Sequence, residues 1–409
     1  MSVDRPSGTS LKPGLRYQAL PQLRLSVLGR SVPTLAVLLV GYLLSRVLTT
    51  ALLFVFWATG QHWTIAHFDG GSGFGGFLQS WDGLYYRRVA LDGYPTNIPT
   101  DASGTVEKNA WAFLPVYPMI VRAVMAVTGL DFPVAGAAVA MVFGAAATFA
   151  IHRLLLERFG ATIGIWGALF FCFGPMSYVL QVTYAESTYL YFMFAALAAM
   201  MARRYVAMIP FGILAAFSHP GALALAAALA LQRFVGYLKK QPSSRRDRVL
   251  AVVTVSVVGL AGIAWPLVAA IVTGDSGTYF NTEFAWWRDY IGSVHFLPFT
   301  PWFVFAGHYL GFFGIVIVVA LLIGFIIWFT RRSTRALGTD LRAYTLSYVG
   351  YLVAVFLPQQ SLFRMLLPLS PLLGAPVLSR TRRARVITLS SCIALQPVGI
   401  LLFWVIWPP

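Results

Sequence analysis

The sequence predicts an all-α integral membrane protein, a bundle of about ten or eleven spans of ~20 residues each, with no soluble globular domain. Three observations carry this. Of 409 residues, 58% are hydrophobic and 11% charged, against ~45–50% and ~25% in an ordinary soluble domain. Apolar runs recur at the length of about 20 residues that an α-helix needs to cross ~30 Å of hydrocarbon. The basic residues gather in polar gaps that can all share one side, as cytoplasmic loops do.

In chain order, residues 1–30 are polar, carry Pro6, Pro13 and Pro21, and lack an apolar core with a cleavage site. They read as a flexible basic cytoplasmic tail and not as a signal peptide. Residues 31–409 read as one transmembrane domain whose first span is 33–58. An outer loop, 59–133, follows. Its HFDGGSGFGGF stretch (67–77) lacks the strand-to-helix setting of a phosphate-cradling loop and reads as a linker or lid. Beyond it, Trp81, Tyr85, Arg88 or Val89, and Asp92 fall at the spacing of one helix face. Asp82 then sits in that helix's first turn, where the dipole and free amides favour a carboxylate. Residues 115–129 are apolar, yet the basic clusters share a side only if this stretch does not cross, so it lies flat at the outer surface.

Spans follow at 134–155, 161–181 and 184–202. The apolar stretch 205–236 is interrupted by Ser218-His219-Pro220-Gly221. Pro and Gly end helices, and irregular backbone at membrane depth must be shielded, so the stretch reads as a hairpin of two short helices. A span at 249–273, a second outer loop at 274–301, and spans at 302–330, 343–358, 362–378 and 386–406 complete the chain.

In this topology most of the 30 lysines and arginines lie on the cytoplasmic side with the N-terminus. The outer side holds Arg87, Arg88, Lys108, Arg122, Arg288 and Arg364. It also holds most of the 14 acids, among them Asp82, Asp92, Glu107, Glu186, Glu283 and Asp289. The net charge of +16 does not point to nucleic acid, because cationic loops on anionic lipid account for it. Cys172 and Cys392 fall inside spans and offer neither a disulfide framework nor a metal cluster. Arg46, in the middle of the first span, is costly there, and the sequence assigns it no role. Trp286-Trp287-Arg288-Asp289-Tyr290 either anchors at the interface or stacks its rings on a ligand.

Polar groups meet the spans on the outer side in EKNAWAFLPVYP (107–118), TYAESTY (183–189), SHPG (218–221) and QQSLFRMLLPLSP (359–371). WDGLYYRRVALDGYP (81–95) resembles the WD-x-x-(H/Y)-(F/Y)-x-x-IA-x-x-GY signature of PIG-V-like mannosyltransferases, relatives of the second mannosyltransferase of GPI-anchor assembly. AFLPVYP resembles their AFFP-x-(F/Y)-P, TYAESTY their Y-(S/T)-E-(S/A), and QQSLFRMLLPLSP their C-terminal segment with one arginine before an apolar stretch. The motifs keep the family's order over residues 81 to 371. The resemblance implies a GT-C fold: many transmembrane helices, a catalytic acid in the first outer loop, and a sugar donor on a polyprenyl phosphate. There is one departure. Where the family has Arg-Ser-Asn-Gly this chain has Ser218-His219-Pro220-Gly221, so that arginine's phosphate contacts fall to His219, Arg364 or Arg88.

Transfer of a sugar from a lipid phosphate needs a base for the acceptor hydroxyl and a cationic setting for the departing phosphate. A single carboxylate can be the base; the resemblance assigns this to Asp82 and implies inversion. No nucleoside diphosphate is expelled, so neither metal nor cofactor is expected. Arginine grips phosphate oxygens with a planar fork, which favours Arg364 first and Arg88 second; either could instead snorkel to headgroups. Glu186 is either a helix N-terminal acid or a partner that orients donor or acceptor, and Glu107 and Asp92 pose the same choice. Trp81 and Tyr85 are the remaining expected substrate contacts. The implied partners are a polyprenyl-phosphate sugar, most simply mannose, a lipid or glycolipid acceptor, and the surrounding lipid. The setting is a bacterial plasma membrane or a eukaryotic endoplasmic reticulum. The alternative is a transporter or flippase of lipid-linked glycans. That class places ionisable groups near the midplane of repeated halves, whereas here no internal repeat is found and the polar groups gather on one side.

Overall fold

The computed structural model describes residues 24–27, 30–60, 63, 71, 73–293 and 295–407. Most of the 1–30 tail, and residues 67–70 and 72 of the glycine-rich stretch, lie outside the described residues. A short antiparallel hairpin, Arg24–Val27 with Arg30–Pro33, precedes the first helix. The rest is helical: α1 (Thr34–Gly60), α2 (Gly73–Leu78), α3 (Asp82–Leu91), α4 (Val116–Thr128), α5 (Phe132–Phe159), α6 (Ala161–Phe173), α7 (Glu186–Met201), α8 (Tyr205–Ala216), α9 (Leu223–Leu238), α10 (Arg245–Thr273), α11 (Thr278–Ile291), α12 (Pro301–Thr330), α13 (Arg332–Arg335), α14 (Gly338–Val355), α15 (Leu362–Met365), α16 (Pro376–Ser379) and α17 (Arg382–Ile400), which a π-helical turn extends to Ile406. The end of the expected glycine-rich linker is therefore the short helix α2.

Among the described residues α1, α5, α10, α12 and α17 with its extension are long and apolar enough to cross a membrane. The protein is an integral membrane helical bundle. Caps set several ends: the Ser244 hydroxyl accepts from Asp247 N (3.0 Å) at the start of α10, and Thr381 accepts from Ala384 N (3.0 Å) at the start of α17. Such caps occupy amides that the helix leaves unpaired. In α12, Gly311 adopts φ 56°, ψ −137°, a break that any side chain would strain; the apolar 312–330 that follows still covers ~28 Å.

The expected hairpin at 205–236 is present as α8 and α9, with Ser218-His219-Pro220-Gly221 in the turn between them. At 13 residues α4 is ~20 Å long, short of a crossing. It packs through Tyr117 and Val121 on Tyr86 and Val89 of α3 and on Phe132, Ala135 and Val139 of α5. The run 362–378, expected as a regular span, is instead α15, a 3₁₀ stretch (Leu367–Gly374) and α16. Pro368, Pro371 and Pro376 supply no amide and crowd the preceding turn. Tyrosines of α14 serve the backbone this leaves open: Tyr344 Oη donates to Pro368 O (2.9 Å) and Tyr348 Oη to Met365 O (2.8 Å), which is how non-helical backbone is tolerated at membrane depth.

At the centre lies α7, apolar on every face beyond its first turn and buried along most of its length. Small residues on α5 let the neighbours close in; a Cβ on Gly144 would lie 2.7 Å from Tyr42 Oη. Arg46 acquires a role here. It is buried, its Nη1 donates to Ser177 O (2.7 Å), and its Nη2 donates to Cys172 O (2.9 Å) in the last turn of α6, where carbonyls have no helical partner. Gln396 of α17 joins the same interior, donating to Thr49 Oγ1 (2.9 Å) and Ser177 Oγ (2.5 Å). Arg46→Leu is expected to destabilise the protein by about 2–6 kcal/mol, two orphaned carbonyls at ~1–3 each. The check is the melting midpoint of the purified protein, and an unchanged midpoint would return Arg46 to an unexplained residue.

The two ends of the bundle differ in charge. Glu186 begins α7 and Arg203 lies just beyond its other end, ~24 Å away along the axis. At Arg203's end, Arg203 pairs with Asp340 of α14 (3.2 Å) and Arg158 of α5 donates to Ala336 O (2.7 Å). These contacts bring three of the basic clusters, around 153–158, 203–204 and 331–342, to one end.

Candidate functional site

The opposite end is built around Asp82. Trp81 takes φ 62° and ψ −121°, a conformation that a bulky residue adopts only when its surroundings impose it. Its Nε1 donates to Trp404 O (3.1 Å). This turn points Asp82 inward, leaving it 7% exposed at the start of α3. A Cβ on the next residue, Gly83, would meet Thr183 Oγ1 at 2.6 Å, so glycine lets the two segments touch. Thr183 N donates to Leu78 O (3.1 Å), and Asp82 N donates to Tyr184 Oη (3.3 Å). The WDG segment is thereby laced to the segment that leads into α7 and Glu186.

Arg364, on α15, joins both acids. Its Nη2 lies 2.5 Å from Asp82 Oδ2 and its Nη1 lies 2.9 Å from Glu186 Oε1. All three side chains are at most 10% exposed. The guanidinium also lies over the Tyr184 ring (5.1 Å), and Nη2 reaches Ser361 Oγ (3.4 Å). Gln359 holds that serine, its Nε2 donating to Ser361 Oγ (2.9 Å) and its Oε1 accepting from Ser361 N (2.8 Å). Gln360 Nε2 donates to Tyr290 Oη (2.5 Å), tying α11 to the same strap. Arg364 lies in the short helix α15, just before the backbone that Pro368, Pro371 and Pro376 break.

Two buried acids share one cation. Burial raises the pKa of Asp82 above the usual carboxylate value, Arg364 opposes the shift and Glu186 adds to it. Two buried atoms of the cluster, Glu186 Oε2 and Arg364 Nε, have no hydrogen-bond partner among the described residues. Native structures seldom leave such atoms unpaired, so the cluster keeps a donor and an acceptor in reserve. Glu186, Arg364, His219, Tyr189 and Tyr348 line one crevice, too narrow as it stands to admit water. The His219 ring stacks on Tyr189 (5.0 Å, 30°), and its Nδ1 donates to Pro220 O (2.9 Å). Ser218, where the resembled family carries arginine, is fully buried and donates back to Leu214 O (2.6 Å), so His219 is the residue of that turn that faces the crevice.

Other expected residues lie apart from this cluster. Arg88 is exposed, with its guanidinium over the Tyr85 ring (5.1 Å). Tyr85 stacks on Phe113 (4.7 Å, 5°) and meets the edge of Trp286 (5.2 Å). Trp286 also packs under the Lys108 ammonium, which pairs with Asp289, so it is one part of an aromatic wall. Glu107 is exposed, and Trp81 acts on Asp82 through the backbone. Among the described residues no three His, Cys, Asp or Glu side chains converge as metal ligands.

Glu283 of α11 is an acid that sequence reading placed on the outer side without a task. Half-buried, it is hydrogen-bonded with Tyr279 one turn earlier, and burial, with Asp82's charge adding, pushes its pKa up to about 7. Its proximity to Asp82 could not be read from the chain; only the i, i+4 spacing to Tyr279 was visible. Its folded pKa exceeds the ordinary 4.5, so the stability it contributes is full below that value and is lost as pH rises through about 7. The melting midpoint of the wild type relative to Glu283→Gln is expected to fall over that interval, and a constant difference would contradict the shift.

No model of a known protein family matches the chain, and no curated protein does. Among solved structures it is similar to the oligosaccharyltransferase of Archaeoglobus fulgidus, crystallised with zinc and sulfate, at 14% identity and a TM-score of 0.45, over 88% of this chain and 52% of that one. It is also similar to apo ArnT from Cupriavidus metallidurans, at 16% identity and a TM-score of 0.35, over 88% of this chain and 76% of that one. The chain spans about half the length of the oligosaccharyltransferase.

Proposed function

We propose that the chain is an inverting membrane glycosyltransferase of the GT-C type. In this reading it moves a sugar, mannose, from a polyprenyl-phosphate donor to a hydroxyl of a lipid or glycolipid at the extracytoplasmic face. The observation that supports it is the buried Asp82–Arg364–Glu186 cluster, drawn from three segments that resemble the PIG-V-like motifs and set at the end of the bundle opposite the basic loops. The unpartnered Arg364 Nε and Glu186 Oε2 suit a ligand that brings both an acceptor and a donor, such as a phosphorylated sugar.

In the proposed reaction the ionised Asp82 carboxylate takes the proton of the acceptor hydroxyl. The oxygen attacks the anomeric carbon from the face opposite the phosphate, the bond from that carbon to the phosphate oxygen breaks, and the phosphate leaves with the electron pair. Arg364 holds the charge that develops there. Both its Nη groups are engaged by the acids, so the donor phosphate is first met by Nε, and Glu186 yields its place on the fork as the phosphate enters.

The test is incorporation of labelled mannose from polyprenyl-phosphate mannose into extracted lipids, in membranes with and without the protein. Equal incorporation in both sinks the reading. The orientation has its own check. A cysteine in place of Ser243, between α9 and α10, is expected to escape an impermeant thiol reagent in intact cells and to react after lysis. Reaction in intact cells would invert the bundle.

A further inference from the structure

At the basic end, about 24 Å along α7 from the cluster, the helix ends border a half-open polar cavity of about 250 Å³. Arg158, Arg203, Gln232 and Asp340 line it. Its walls are built at some cost. Arg203 sits at φ 59°, a left-handed value unfavourable for a side chain of its size. Gly338 takes φ 83°, and a Cβ there would lie 2.9 Å from the Arg158 guanidinium, so only glycine lets Arg158 lie across the start of α14. Asp340 Oδ1 is held by Arg203 Nη2 (3.2 Å) and by Gln232 Nε2 (2.6 Å). Arg158 is oriented by the carbonyls of Leu337 (3.0 Å) and Ala336 (2.7 Å). One polar atom is left over: Gln232, only 3% exposed, has its Oε1 buried without a partner.

We propose that this cavity binds a phosphodiester bearing hydroxyl groups. Two arginines against one aspartate leave the lining with a single net positive charge, which matches the single negative charge of a phosphodiester. Each arginine has five N–H donors and spends at most two on the protein contacts above, leaving forks for phosphate oxygens. The orphaned Gln232 Oε1 can only accept, so the ligand must bring a donor, and a hydroxyl on the group attached to the phosphate supplies it. That chemistry occurs in the headgroup of a lipid such as phosphatidylglycerol and in its water-soluble counterpart glycerophosphoglycerol. The basic loops around the cavity lie where anionic headgroups concentrate, which favours the lipid.

The experiment uses the full chain in nanodiscs of phosphatidylcholine, with or without phosphatidylglycerol, and in phosphatidylcholine nanodiscs with added glycerophosphoglycerol. Bound lipid is read by native mass spectrometry and stability by the melting midpoint. Phosphatidylglycerol is expected to raise the midpoint and to be retained. Arg203→Gln, which removes one charged donor, and Thr339→Phe, which fills the space without removing a polar contact, are each expected to weaken retention about tenfold. Unchanged melting of both variants in phosphatidylcholine alone shows that they fold, and if one does not, the other decides. Protection by glycerophosphoglycerol alone would keep the phosphodiester and assign it to a soluble source. A phosphatidylglycerol effect that persists in the variants is diffuse attraction to the basic loops and overturns the site, as does the absence of any effect.

Discussion

Asp82→Asn is expected to reduce sugar transfer by ~10²–10⁴, the range of a lost general base, while donor binding persists. Asparagine keeps the shape at the start of α3 but cannot take a proton. The change has a structural side as well, because it leaves Arg364 with Glu186 alone, and breaking one partner of a buried ion pair costs ~3–5 kcal/mol. Transfer must therefore be measured on protein whose melting midpoint has been recorded, at a temperature where the variant is folded. Because burial holds the Asp82 carboxyl above its ordinary pKa, wild-type transfer is also expected to decline as pH falls through that raised value, where the base becomes protonated. A folded Asp82→Asn protein that transfers at the wild-type rate would return Asp82 to the role of a helix-end acid neutralised by Arg364.

Arg364→Ala carries the second large effect, because it removes the only cation that bridges Asp82 and Glu186 among the described residues. Two carboxylates would then face each other in a buried space, and one would take up a proton. Transfer is expected to fall at least as far as in Asp82→Asn, with a loss of donor dependence that Asp82→Asn does not show. Arg364→Lys discriminates between charge and shape. Lysine restores a positive charge, yet its single ammonium cannot hold Asp82 at 2.5 Å and Glu186 at 2.9 Å from two ends of one plane. Partial recovery is expected. If Arg364→Ala transfers normally, the bridge is purely structural and the phosphate grip moves to His219, which faces the same crevice. Exposed Arg88, over Tyr85, is the less suited substitute.

Hydropathy and charge determined by themselves that this chain is a helical membrane protein, where most of its helices run, and that α8 and α9 form a hairpin broken at Ser218-His219-Pro220-Gly221. Those properties are local: a helix satisfies its own backbone, and the partition of a segment into lipid depends on the segment alone. Asp82, Glu186 and Arg364 were each visible as polar residues at the ends of apolar runs, and the resemblance ranked Asp82 first. That the Arg364 guanidinium joins the two acids is a property of the folded chain. It depends on the strained turn at Trp81 and the missing Cβ of Gly83, and Arg364 opens a proline-broken stretch that a window of hydropathy reads as one more span. Arg46 was opaque for the same reason. Its partners are main-chain carbonyls of Cys172 and Ser177, which every sequence contains and none announces. Glu283 likewise acquires its raised pKa from burial and from Asp82, two hundred residues away in the chain. A side chain's type is written locally, whereas its partners and its dielectric surroundings exist only once distant segments have packed.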